Sequence, residues 1–174
     1  MHVGRSTPRK EGRGKVTGQA RYVDDLALPG MLHGVTVRSA SPRGLIRDIR
    51  YAPGIPWGDL VVVTAADIPG ANVVALINDD QPCLADGRVN HAEEPVVLLA
   101  HRDRSLVEEA RRRVTIEIEP LPPVYAIEES LAGREIIWGT DNTFKKYLVS
   151  RGDVDAALAE AETIVEGEYE TGAQ

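Results

Sequence analysis

SLVEEARRRVTIEIE, residues Ser105–Glu119, holds two structural periods back to back. Ser105 and Glu108 stand at capping-box spacing, Glu108 and Glu109 lie toward the positive end of a helix dipole, and Arg111, Arg112 and Arg113 lie toward the negative end. This predicts a helix over Ser105–Arg113. Val114, Ile116 and Ile118 then alternate with Thr115, Glu117 and Glu119, the period of a strand with one buried face, and Pro120, Pro122 and Pro123 end it. A helix feeding directly into a half-buried strand makes this a mixed chain.

Upstream, from Ala20 to Ala100, the apolar residues come in short bursts separated by Pro, Gly, Asn and Asp. Tyr22–Val23, Leu32–Val37, Leu45–Tyr51, Leu60–Val63, Val73–Ile77 and Pro95–Ala100 read as strands of a mostly antiparallel sheet. Downstream, Asp153 is placed to cap a second helix. Its stripe Val154, Ala157, Leu158 and Ala161 is narrow and small, so the helix is expected to lie close on a neighbour. Val165, Tyr169 and Thr171 alternate with Glu166, Glu168 and Glu170 as a last strand, and Val154, Leu158 and Val165 are predicted core residues. Strands with interspersed helices and no regular βαβ spacing indicate an α+β fold with two main helices.

A chain of 174 residues accommodates one ordinary domain and excludes two catalytic ones. Its 43% hydrophobic and 27% charged residues are globular proportions. The net charge is −7, unevenly spread. Through Arg21 there are six basic residues (Arg5, Arg9, Lys10, Arg13, Lys15, Arg21) and one acid, Glu11, so the remainder carries −12. A basic arm ahead of an acidic body suits an acidic partner, or stays solvated. With only eight aromatics in the chain it lacks the interleaved stacking residues of a nucleic-acid binder, and no nucleic-acid partner is expected. No apolar run reaches the ~20 residues of a membrane span, and the first fifteen residues show no secretory or lipid-anchor pattern. The single Cys83 can form no intramolecular disulfide, which fits a reducing compartment, and a cytoplasmic address is expected.

Candidate chemistry is sparse. Gly12, Gly14 and Gly18 suggest a phosphate loop, but Lys15 is followed by Val16 instead of a hydroxyl residue, and the segment reads as a loop opening a strand. His2, His33, His91 and His101 show neither an i, i+4 pair nor a Cys at zinc spacing. His91 beside Glu93 and Glu94 is the one grouping suited to acid–base work, with a charged rim as the simpler reading. Asn78, Asp79 and Asp80 resemble the start of a calcium loop, but Pro82 occupies a ligand position and the loop reads as a turn. Cys83 has no neighbouring His, and no G-x-S-x-G elbow exists. No catalytic, cofactor-binding or metal-binding residue is assigned.

Nearly the whole chain, however, resembles one known family. KVTGQARYVDD (15–25), LPGMLHG (28–34), RSASP (38–42), VTAADIPG (63–70), CLADGRV (83–89), EEPVVLLA (93–100), IEIEPLPPV (116–124) and GDVDAALAEAETIVEGEYETGAQ (152–174) follow in order. Together they resemble the opening of the molybdenum-binding subunit of the xanthine dehydrogenase and aldehyde oxidase family, its α/β-hammerhead domain. Two departures stand out. Members commonly carry glycine where this chain has Glu93, and the connection Ala52–Gly58 (APGIPWG) is shorter than a helical turn found in many of them.

The resemblance implies a basic leader at 1–14 and a hammerhead domain at 15–174, the N-terminal part of a larger molybdoprotein subunit cut at its C-terminal end. The family hydroxylates a purine, another N-heterocycle or an aldehyde with water-derived oxygen. A glutamate serves as general base, and electrons leave through iron–sulfur clusters to flavin or another acceptor. The family's cofactor loops and that glutamate lie beyond the region matched here. The resemblance therefore implies molybdopterin in the complete enzyme and none bound by this chain. It also implies the remaining molybdopterin-binding domains and iron–sulfur and FAD subunits or domains as partners, an oligomeric complete enzyme, and an inactive isolated chain. The rival expectations are a free-standing interaction or regulatory module that keeps the fold without catalysis, and a nucleotide binder using Gly12–Gly18.

Overall fold

Val96, Val97 and Leu99 sit in an apolar run flanked by Pro95 and His101, and that run becomes the central strand of the larger of two structural units. The computed structural model describes residues 3–75 and 79–172. In chain order the elements are α1 (Gly12–Val16), β1 (His33–Arg38), β2 (Gly44–Tyr51), β3 (Val61–Val63), β4 (Arg88–Val89), β5 (Pro95–His101), α2 (Arg104–Arg112), β6 (Val114–Pro120), α3 (Ile127–Leu131) and α4 (Val154–Ala159). Single 3-10 turns stand at Val23–Asp25, Trp57–Asp59 and Ala65–Asp67. The chain divides into a unit ending at Pro123 and a second beginning at Val124. Among the described residues no helix is long and apolar enough to cross a membrane.

The first unit contains two three-stranded sheets, ordered β1-β5-β3 and β4-β2-β6, with every strand pair antiparallel. The α+β expectation holds, with two sheets in place of one. The core comprises Val37, Ile55, Leu60, Ala85, Val89, Val96, Val97, Leu99, Val107 and Ala110. Val107 and Ala110 come from the buried face of α2, which packs on β1 and β5. Ile116 and Ile118 of β6 and Ile46 and Ile49 of β2 pack against that core. Strict alternation would send Ile46 and Ile49 to opposite faces. A register shift between Ile46 and Asp48 resolves this: Ile46 pairs with Ile118, Ile49 pairs with Ile116, and Arg47 is the extra residue. At the start of β2, a Cβ on Gly44 would lie 2.3 Å from Ile118 Cγ2 and 2.6 Å from the Glu119 carbonyl oxygen, so only glycine admits this strand contact.

Several expectations are corrected. The cap of α2 is Asp103, whose side chain accepts from Ser105 N at 2.8 Å, so the helix begins at Arg104 and Ser105 is inside it; Glu108 instead pairs with Arg111. Asp competes well for this position because its carboxylate takes orphan amides of the first turn. Tyr22–Val23 is no strand. The Asp25 carboxylate accepts the Tyr22 N–H at 2.9 Å and closes a 3-10 turn. Of Val73–Ile77, Val74 makes one bridge to Gln81, and Leu76 and Ile77 lie outside the described residues. Gly12–Val16 is a short helix where a loop opening a strand was expected. The connection at Ala52–Gly58 leads into the 3-10 turn, pinned by Trp57 Nε1 donating to the Ala52 carbonyl at 2.8 Å.

In the second unit, Asp153 caps α4 as expected, accepting from Ala156 N at 3.0 Å. Its apolar stripe does not pack: Val154 is 58% and Leu158 50% exposed, and Val165, beyond the helix, is exposed as well. Residues 163–171 form no ladder. Alternation and a helical stripe create a face but supply no opposing surface, and none of the described residues covers these. The unit is instead organised by Asn142. Its Oδ1 accepts from Ile137 N (2.7 Å) and Trp138 N (3.1 Å), and its Nδ2 donates to the carbonyls of Glu135 (2.8 Å) and Ser130 (3.1 Å). A carboxamide with two donors and two acceptor sites is suited to such a hub.

Candidate functional site: the polar corner between the sheets

The chain leaves β1 of one sheet and enters β2 of the other through Ser39–Arg43, and this crossing buries polar groups that must be paired. Ser39 N donates to the Glu94 carbonyl at 2.9 Å, and Glu93 N donates to the Ser39 carbonyl at 2.8 Å. Ser39 Oγ donates to the Ser41 carbonyl (2.8 Å) and accepts from Ser41 N (3.1 Å). Arg43 Nη1 reaches the Pro122 carbonyl at 2.6 Å, and Arg38 Nη1 reaches the Glu93 carbonyl at 2.8 Å. Among the described residues Ser39, Arg43 and Glu94 are the buried polar ones, and all three belong to this corner. Every one of these bonds ends on backbone. The corner therefore holds loops in place and presents no group poised for proton transfer.

His91, Glu93 and Glu94 are not assembled for acid–base work. The His91 ring meets the Ala92 carbonyl through Nδ1 at 2.8 Å, and the Glu94 side chain turns inward to accept the Asn90 N–H. Glu93 has φ 64°, in the left-handed region. Glycine would enter that region without steric cost, so the position suits the glycine that the resemblance led one to expect there.

The fold does bring two histidines together that spacing keeps apart: His33 and His101 face each other across β1 and β5. Sequence reasoning missed them because strand register, not local spacing, sets the pair. Asp103 N donates to His101 Nδ1 at 3.0 Å, which places that ring's proton on Nε2 and takes up its free lone pair. The pair thus lacks the second free nitrogen a two-histidine chelate requires.

The remaining candidates are scattered. Lys15 pairs with Glu11 at 3.4 Å on α1, a helix of only five residues that offers no phosphate cradle. Cys83 is exposed, its N–H bound to Asn72 Oδ1 at 3.1 Å. Of the calcium-like run, Asn78 lies outside the described residues, as does His2, while Asp79 and Asp80 are exposed. Among the described residues no group of three or more His, Cys, Asp or Glu side chains is arranged to hold a metal ion. The donor set does not fit a metal centre, and no chemical step is routed through these residues. On the outer face of the second sheet, Arg50 bridges Asp48 (3.0 Å) and Glu117 (2.7 Å), which raises its pKa, first through the Asp48 hydrogen bond and then through the Glu117 charge. The ladder is exposed and adds little stability.

Residues 17–122 match the family described as aldehyde oxidase and xanthine dehydrogenase, a/b hammerhead domain. The chain is similar to the xanthine dehydrogenase molybdenum-binding subunit of Escherichia coli O157:H7, 31% identical over 176 residues, covering 94% of this chain and 23% of that protein. It is also 31% identical over 172 residues to the nicotinate dehydrogenase large molybdopterin subunit of Eubacterium barkeri, covering 97% and 40%. Among solved structures it resembles quinoline 2-oxidoreductase from Pseudomonas putida 86, with TM-score 0.71 and 28% identity over 96% of this chain and 23% of that one. The chain thus spans between about a fifth and two fifths of these relatives' lengths. With the polar corner, the two antiparallel sheets and the single well-packed helix all inside the matched span, the chain belongs to the aldehyde oxidase and xanthine dehydrogenase family, as its a/b hammerhead domain.

Proposed function

We propose that this chain is the N-terminal scaffold part of a molybdenum hydroxylase subunit, with 1–14 as leader and 15–174 as the domain. It carries no catalytic, cofactor-binding or metal-binding residue of its own. In this reading the whole protein hydroxylates a purine, N-heterocycle or aldehyde using molybdopterin held by its remaining domains. Iron–sulfur and FAD domains or subunits are its partners, in an oligomeric, cytoplasmic enzyme. The observation that carries the reading is the buried polar corner at Ser39, Arg43 and Glu94, whose described bonds serve loop placement inside the matched hammerhead span. The names of the relatives, which include xanthine and nicotinate dehydrogenase subunits, support the class of reaction.

Fragment complementation tests it. A related large subunit trimmed of its hammerhead region is produced with and without this chain in molybdenum-replete cells. The expected result is that the chain alone holds no molybdenum and turns over neither xanthine nor benzaldehyde, and that the trimmed subunit gains assembly and activity when the chain is present. Turnover by the homogeneous 174-residue chain, or no gain on combination, overturns the reading.

A further inference from the structure

Asp86–Gly87 is the one Asp-Gly pair in the chain, which has no Asn-Gly. Both residues are exposed, in an irregular stretch between buried Ala85 and buried Val89. Gly87 holds φ at 67°, and a Cβ built on it would meet no heavy atom within 4 Å. With no side chain of its own, Gly87 leaves its amide nitrogen unshielded toward the carboxyl before it. Among the described residues nothing hydrogen-bonds to the Asp86 carboxylate or to the Gly87 N–H. Two asparagines show the contrast. Asn72 Nδ2 donates to the Leu84 carbonyl at 2.7 Å, while its Oδ1 accepts the N–H groups of Cys83 and Leu84 at 3.1 Å. Asn142 is bound through both ends of its carboxamide, and the Thr143 N–H that follows it donates to Asp141 at 2.9 Å.

From this free carboxyl beside a free, unshielded amide, we propose that Asp86–Gly87 is a self-modification site, where the aspartyl linkage converts to an isoaspartyl one and unties β4 from β2. The Gly87 nitrogen attacks Asp86 Cγ. An N–Cγ bond forms, the hydroxyl of the carboxyl's acid form leaves with the amide proton as water, and a cyclic imide closes. Water then opens the ring. Attack at Cγ restores aspartate, whereas attack at the Asp86 main-chain carbonyl leaves Gly87 joined through Cγ. Water is the only co-reactant, and nothing is oxidised or reduced. The isoaspartyl product has one more carbon in its main chain, within a pinned stretch. On one side the Ala85 N–H donates to the Pro95 carbonyl at 2.7 Å, and on the other the Gly87 carbonyl accepts the Ile46 N–H at 3.0 Å. β4 follows at once, with Arg88 opposite Leu45 and Val89 opposite Gly44. An inserted atom is incompatible with both anchors and that register, and the short β4 pairing is what gives way. The attack is intramolecular, so it requires no occupant for the surrounding surface and does not depend on the proposed enzyme.

Ageing the full chain in heavy-oxygen water at physiological temperature and neutral pH tests it, because each imide cycle leaves one heavy oxygen on the carboxyl. Peptide mass spectrometry should find that label at Asp86 ahead of every other Asp or Asn in the chain. Methylation by an isoaspartyl-specific carboxyl methyltransferase with labelled S-adenosylmethionine should rise in parallel. Both signals should be lost in Asp86→Glu, whose longer side chain would have to close a larger ring, and circular dichroism checks that this variant keeps its fold. The aged wild-type chain should unfold at a lower urea midpoint than the fresh one, while the midpoint of Asp86→Glu stays constant on ageing. No label at Asp86, label that appears there only in urea, or methyl acceptance undiminished in Asp86→Glu overturns the site. Label at Asp86 with an unchanged urea midpoint overturns the untying of β4.

Discussion

Glu94, 3% exposed, turns its side chain back on its own loop, where Oε2 accepts the N–H of Asn90 four residues upstream. Removing that acceptor leaves a partly buried amide unsatisfied. Glu94→Ala should destabilise the chain by about 2–3 kcal/mol, and Glu94→Gln, which keeps an acceptor oxygen, by less. Urea denaturation should show the midpoint falling with the slope unchanged. Equal losses for both variants would show that the hydrogen bond is not what the residue contributes.

At the neighbouring position, Glu93 holds φ at 64° while its N–H and carbonyl are engaged by Ser39 and Arg38. Glu93→Gly keeps both backbone bonds and removes the Cβ clash of the left-handed region. It should stabilise the fold by about 0.5–1 kcal/mol after the added flexibility of the unfolded chain is subtracted. A lower melting temperature for the glycine variant would contradict this account.

Two leucines separate the packed unit from the exposed stripe. Leu99 is fully buried at the centre of β5, and Leu99→Ala should cost about 2–5 kcal/mol. Leu158, half exposed on α4, should cost less than about 1 kcal/mol on the same change. Measuring both by chemical denaturation orders them directly, and a Leu158 loss as large as that of Leu99 would restore the buried α4 face predicted from its spacing.

Tyr51 packs edge-on against Trp57, with ring centroids 5.1 Å apart. Partial burial, and then the charge of Asp67, raise its pKa above the ordinary tyrosine value. A raised folded pKa means the contribution is fully present below the unfolded value, about 10, and is lost as pH rises through the folded one. Thr64 works in the opposite direction on Asp67. Its N–H, then its hydroxyl, bind the carboxylate and lower the pKa, so that contribution is present above the ordinary carboxylate range and is lost as pH falls. Ultraviolet titration should show one late tyrosine that disappears in Tyr51→Phe. A titration curve unchanged by that substitution would refute the assignment.

The elements that the amino-acid sequence determined are those whose signal is local. The alternation of Val114, Ile116 and Ile118 became β6, Asp153 capped α4, and the apolar run at Pro95–His101 became the central strand, because backbone period and capping need only near neighbours. The family was legible too, through motifs carried in order along the chain. Tertiary structure alone decided which faces became interior. Val154 and Leu158 have the spacing of a buried stripe but meet no opposing surface among the described residues, whereas Ile46 and Ile49 violate alternation and still reach the core through a one-residue bulge. It alone placed His33 opposite His101 and gathered Ser39, Arg43 and Glu94 into one corner. Strand register and loop crossing join residues tens of positions apart, and the free energy of those contacts belongs to the assembled fold, where burial of one segment depends on what another supplies.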